Sequence, residues 1–122
     1  MSYGMAMEKA GATIIASCHF GSYQGTAWFL VKYNGEYGWV SLNYGSCSGC
    51  DSFQAEFEDY TRDYSDSDYA SFGARYMEGL LTPLEALGRV SEDRCWDMEA
   101  GEAIKFVTES NKLIPQEHNY SI

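Results

Sequence analysis

The sequence predicts an α+β fold, an N-terminal three-stranded antiparallel meander followed by three or four helices packed on it. Three observations carry this expectation. Residues 12–44 are rich in β-branched and aromatic residues with a period of two, an Asn34-Gly35 pair divides that region, and beyond Cys50 the apolar period lengthens to about 3.6 residues. With sheet residues first and helical residues after, a single domain of segregated α+β type follows, in keeping with a length of 122 residues.

The segment holding Met1, Met5 and Met7 has no clear periodicity, and no element is assigned to it. Ala12–Phe20 sets Ala12, Ile14, Ala16, Cys18 and Phe20 against Thr13, Ile15, Ser17 and His19, the pattern of a first strand. Gly21-Ser22-Tyr23-Gln24-Gly25 reads as a glycine-bounded turn, and Thr26–Tyr33 as a second strand. Both central residues of a type I′ turn need positive φ, which Asn and Gly tolerate best, so Tyr33–Glu36 closes a two-residue hairpin onto a third strand, Tyr37–Tyr44. Both alternating sets contain apolar residues, so the pattern does not say which face of the sheet is buried.

Residues 51–111 form an acidic helical part. Asp51 caps a helix with Gln54 at its third position and Phe53, Phe57 and Tyr60 on one face. A second helix is expected from Asp66 to Leu81 with Tyr69, Phe72, Tyr76 and Leu80 aligned, weakened by Gly73 and Gly79. Thr82-Pro83-Leu84-Glu85 is a helix start with cap, N1 proline and reciprocal Glu; that helix is expected to be short, ending near Gly88. Ser91 is the expected cap of a last helix carrying Trp96, Ala100, Ala103, Ile104 and Val107, with Lys112 near its C-terminal end. Residues 115–122 read as a loose tail.

Charge is distributed unequally along the chain. Residues 1–50 hold two acids and two bases, whereas residues 51–122 hold sixteen acids and six bases, so the net charge of −10 belongs to the second part. Such a surface repels phosphate and makes nucleic acid a poor direct ligand; a basic protein surface is the better partner. No apolar run is long enough for a membrane span, and Met1–Ala16 lacks the basic start and apolar stretch of a signal peptide, so a cytoplasmic location is expected. There the four cysteines are expected as thiols or metal ligands and not as a disulfide framework.

Cys47-Ser48-Gly49-Cys50 is the one motif with potential chemistry. Two cysteines at this spacing can share a tetrahedral zinc, for which Cys18, His19 and Cys95 are the available further ligands; Cys47, Cys50, Cys18 and Cys95 form the candidate set. A C-x2-C pair ahead of a helix start is also the arrangement of thiol–disulfide proteins, although Asp51 beside Cys50 opposes a thiolate. The third reading is a turn of small residues that permits close packing.

The acidic run Asp51, Glu56, Glu58, Asp59, Asp63, Asp66 and Asp68 is offset only by Arg62. A charge run of this kind is usually a solvated helix face. Its functional reading is a set of spaced carboxylates that imitates a phosphate backbone and occupies a basic channel, with Glu56, Glu58, Asp59, Asp63, Asp66 and Asp68 as the contact residues. The spacing does not fit the calcium loop D-x-D-x-D-G with its distal Glu. His19 and His118 have no acid or nucleophile at a recognisable spacing, and phosphate-loop and dinucleotide fingerprints are missing, so no catalytic residue is assigned. The strand aromatics Tyr23, Trp28, Tyr33, Tyr37, Trp39 and Tyr44 suit core or cross-strand pairs, or a recognition surface.

Two resemblances attach to these residues. Lys32-Tyr33-Asn34-Gly35-Glu36-Tyr37-Gly38-Trp39-Val40 resembles the hairpin of bacterial SH3-type domains, where an N-G turn precedes a G-W-V strand. Gly21-Ser22-Tyr23-Gln24-Gly25 and the hairpin, followed by Tyr44-Gly45-Ser46-Cys47-Ser48-Gly49-Cys50-Asp51, resemble a family of small proteins encoded by bacteriophages and prophages, over roughly residues 12–58. That resemblance implies a phage setting without an assigned reaction. In size and acidity the chain is similar, as a class, to anti-CRISPR proteins, many of which bind a Cas effector and block DNA loading. The expected function is therefore a non-catalytic inhibitor that binds a basic, nucleic-acid-handling surface of a bacterial defence protein, with a CRISPR–Cas effector as the leading target. The alternatives are a thiol–disulfide protein using Cys47 and Cys50, and a small-ligand or cell-wall binding module built on the aromatic hairpin.

Overall fold

The computed structural model describes residues 3–21, 25–44, 55–57, 61, 63–92 and 97–115. The alternating region forms β1 (Thr13–Gly21), β2 (Gly25–Tyr33) and β3 (Glu36–Tyr44), paired antiparallel in the order β1-β2-β3. Asn34 and Gly35 have φ of 52° and 81° and join the facing pair Tyr33 and Glu36, the two-residue turn expected from their chemistry.

Both faces of the sheet are covered, which answers why both alternating sets are apolar. Residues 25–31 of the central strand β2 are all buried. Ala27, Phe29 and Val31 with Val40 and Leu42 lie in one core; Trp28, Leu30 and Trp39 lie in the other. The expected single-face alternation of β1 breaks at a bulge between Ile14 and Ala16. The extra residue reverses the parity of the strand, so Ala12 and Ile14 belong to the first core and Ile15, Ala16, Cys18 and Phe20 to the second.

The first core is closed by α1 (Tyr3–Lys9) and α2 (Asp66–Met77). Helix α1 corrects the expectation of an unassigned N-terminal segment: Tyr3, Ala6 and Met7 are one buried face, too short to stand out as a period. Its end is a Schellman motif, in which Ala12 N donates to Met7 O (3.0 Å) and Gly11 N to Glu8 O (3.0 Å), with Gly11 at φ 104°. Gly73, expected to weaken α2, is the residue that lets α1 approach it, because a Cβ there would fall against the Ala6 carbonyl.

The second core is closed by α3 (Pro83–Glu92) and α4 (Asp97–Asn111). Helix α3 starts as expected, with Thr82 N donating to Glu85 Oε1 (2.9 Å) and Glu85 N to Thr82 Oγ1 (3.1 Å). It does not stop at Gly88. An exposed mid-helix glycine costs only about 1 kcal/mol, and burial of Ala86 and Val90 on either side carries the helix through to Glu92. Ser91 is consequently inside α3, donating to Leu87 O (2.7 Å), and is not the cap of α4. Helix α2 ends at Met77 instead of Leu81, because the chain must leave it to round the sheet. Of the helix expected from Asp51, residues 55–57 are described: Ala55 and Glu56 are helical and Phe57 is buried. The Asp51/Gln54 cap and residues 116–122 of the expected tail lie outside the described residues.

The crossing from one helical layer to the other is made at the outer edge of β3. Leu80 joins the first core and Leu81 the second, while Leu81 N and O pair with Trp39 O (2.9 Å) and N (2.8 Å). Gly38 makes room for this, since a Cβ there would sit 2.7 Å from Leu80 Cβ. Trp39 itself is fully buried; its Nε1 donates to Asn111 Oδ1 (2.7 Å), and Asn111 Nδ2 donates to Pro83 O (3.3 Å). The Trp39 ring meets Trp28 and Phe106 edge to face, at centroid distances of 6.0 and 5.8 Å.

Two glycines in helices test this packing in opposite directions. Gly73→Ala is expected to destabilise the protein by about 2–3 kcal/mol through overpacking against α1. Gly88→Ala, which meets nothing within 4 Å, is expected to stabilise it by about 0.5–1 kcal/mol. Urea midpoints at unchanged slope are the readout.

Candidate functional site

The four described acidic candidates, Glu56, Asp63, Asp66 and Asp68, lie on the layer formed by α1, α2 and residues 55–57. Beneath them is an aromatic cluster: the Phe57 ring lies 4.6 Å from Tyr69, 4.8 Å from Tyr64 and 5.4 Å from Phe72, and Tyr3 meets Phe72 at 5.7 Å. These contacts pack residues 55–57 and α1 against α2.

The four described candidates are not equivalent. Asp68 is in a capping box: Ser65 Oγ accepts from Asp68 N (3.1 Å), and Asp68 Oδ2 accepts from Ser65 N (2.9 Å). Asp66, at the first turn of α2, pairs with Lys9 of α1 at 3.1 Å but keeps 82% of its side chain exposed. Glu56 pairs with Arg75 at 2.6 Å. Asp63 is exposed and has no ion-pair partner among the described residues. Glu58 and Asp59 lie outside the described residues. Of the four described candidates, Asp63 and Asp66 are therefore the most available to a partner, and Asp68 serves first in the capping box.

Sequence reasoning missed two members of this surface, Glu8 on α1 and Glu78 just beyond α2, both exposed. Glu8 could not be placed without recognising α1. Tallied by layer over the described side chains, the α1/α2 side presents Glu8, Glu56, Asp63, Asp66, Asp68 and Glu78 against Lys9 and Arg75. The α3/α4 side presents Glu85, Glu92, Glu102 and Glu109 against Arg89, Lys105 and Lys112. Over these described side chains the acid excess is larger on the α1/α2 layer.

Of the proposed zinc ligands, Cys18 is described; Cys47, Cys50 and Cys95 lie outside the described residues. Cys18 is half-buried on the α3/α4 face of β1, with Sγ 3.8 Å from His19 O. Its neighbour His19 points to the opposite face, where its ring meets Phe29 at 6.1 Å. Cys18 and His19 therefore cannot both ligate one ion. Among the described residues no group of three or more His, Cys, Asp or Glu side chains is placed to hold a metal. Trp28 and Trp39 are core residues, so a recognition surface on the hairpin has only the half-buried Tyr33 and Tyr37 among its described aromatics. No helix among the described residues is long and apolar enough to cross a membrane.

Compared with known proteins, the chain matches no family model, no curated protein and no solved structure.

Proposed function

We propose that the protein is a non-catalytic inhibitor that docks its acidic α1/α2 layer on a basic, nucleic-acid-handling surface of a bacterial defence protein, a CRISPR–Cas effector being the leading target, and so blocks nucleic-acid loading. The observation that supports this reading is the larger acid excess of the α1/α2 layer over the described side chains. An acidic face steers the molecule toward a basic surface and accelerates encounter. The choice of a Cas effector rests on the likeness of size and charge to anti-CRISPR proteins and on the positively charged channels of such effectors.

The test is binding of the full chain to a purified Cas effector, in competition with target DNA and at two ionic strengths. Asp63→Lys with Asp66→Lys is expected to weaken binding by about tenfold or more and to flatten its salt dependence. Asp68→Ala is expected to cost about 1 kcal/mol of stability, because Ser65 N loses its side-chain acceptor, with a smaller effect on affinity. Unchanged affinity in the double variant overturns the acidic-layer reading, and lack of binding to the effector overturns the choice of target.

We also propose that Cys47, Cys50, Cys18 and Cys95 hold a structural zinc. Cys18 lies on the sheet face covered by α4, and Cys95 is two residues ahead of that helix. Native mass of protein purified without added metal is expected to give one zinc per chain, lost in Cys18→Ser; zinc-free protein with four reactive thiols contradicts the proposal and favours the thiol–disulfide alternative.

A further inference from the structure

The geometry points to a binding pocket for a small oxyanion, carboxylate or phosphate, at the outer edge of β3, held between Arg75 of α2 and Arg89 of α3. This goes beyond the acidic-layer reading and uses the opposite chemistry. A cavity of about 190 Å³ opens beside the Trp39–Leu81 crossing, and both arginines of the described residues line it, together with Ser41 and Tyr76. Because α2 and α3 cover opposite faces of the sheet, the two arginines line the cavity from helices on its two sides.

Three features equip this pocket for an anion. Leu81 covers the edge of β3 at Trp39 and no further. Backbone groups two residues apart on an antiparallel strand face the same edge, so the N–H of Ser41 is directed outward beside the cavity, where no described residue pairs with it. Arg89 is exposed and forms no ion pair among the described residues, although Glu85 stands four residues before it, the favoured position for a helical pair. The Glu85 carboxylate instead accepts from Thr82 N at the start of α3. Arg75 is held by Glu56 through Nη2 and stacks near the Phe72 ring at 5.3 Å. A guanidinium carries five N–H donors, so one bond to Glu56 leaves a fork for a second acceptor. Two arginines and a backbone N–H lining one cavity supply donors of the kind that bind carboxylate or phosphate with charge-assisted hydrogen bonds.

The experiment is a titration of the full chain with inorganic phosphate and, separately, with succinate, followed by amide shifts at Ser41 and side-chain Nε shifts of the arginines, with sodium chloride at matched ionic strength as the reference. Saturable shifts at Ser41 and Arg89 are expected. Affinity is expected to fall about tenfold or more in Arg89→Gln and in Arg75→Gln, and to stay within twofold in Lys105→Gln, an exposed cation of α4 outside the pocket. Saturation by one anion alone identifies the natural source as phosphate or as carboxylate. Shifts that do not saturate, that match those in sodium chloride, or that survive Arg89→Gln overturn the proposal.

Discussion

The structure depends on one buried junction, the Trp39 side chain and backbone. Trp39 pairs through its backbone with Leu81, through its indole N–H with Asn111, and through Asn111 with the Pro83 carbonyl. Those contacts tie β3 to the crossing between the two helical layers, to the start of α3 and to the end of α4. The indole N–H is removed from water, and leaving such a donor without an acceptor costs about 1–3 kcal/mol, so the Asn111 rotamer and the register of α4 are specified together. The edge-to-face contacts with Trp28 and Phe106 fill the space around the same ring.

Covering both faces of a three-stranded sheet leaves little of it for recognition. Trp28 and Trp39, which would otherwise suit a binding surface on the hairpin, are core residues. Within the helical layers acids serve two ends. Asp68 and Glu85 complete capping boxes, whereas Asp63 and Asp66 face solvent on the more acidic layer. Which carboxylates stay open to solvent is thus decided by what the backbone already requires of them. The same logic applies to the cations: Glu85, bound at the head of α3, leaves Arg89 open at the strand edge.

The meander was legible because its signals are local: β-branched alternation and an Asn-Gly turn whose φ values only a few residues adopt. The start of α3 was legible for the same reason, through Thr82, Pro83 and Glu85. The layers were not, because they are set by a bulge at Ile14/Ala16 that inverts the face of β1, and no residue there announces it. Helix α1 left a faint trace in the Tyr3, Ala6 and Met7 spacing and in Gly11 at its end, but seven residues make too short a period to stand out. Gly73 was read from propensity as weakening its helix and Gly88 as ending one; packing overrode both, by demanding a glycine at Gly73 and by carrying the helix through Gly88. The acidic run was visible, but its division into caps, ion pairs and open carboxylates depends on Lys9 and Arg75, which come from distant parts of the chain.

The most direct measurement of the central claim is native-state hydrogen exchange of the Trp39 indole N–H over a series of low urea concentrations. If the junction holds the layers together, that proton exchanges only by global unfolding, with a free energy and urea slope equal to those of the whole molecule. Exchange that is independent of urea, with a free energy well below the global value, would show that the junction opens locally and that the layers are held by something else.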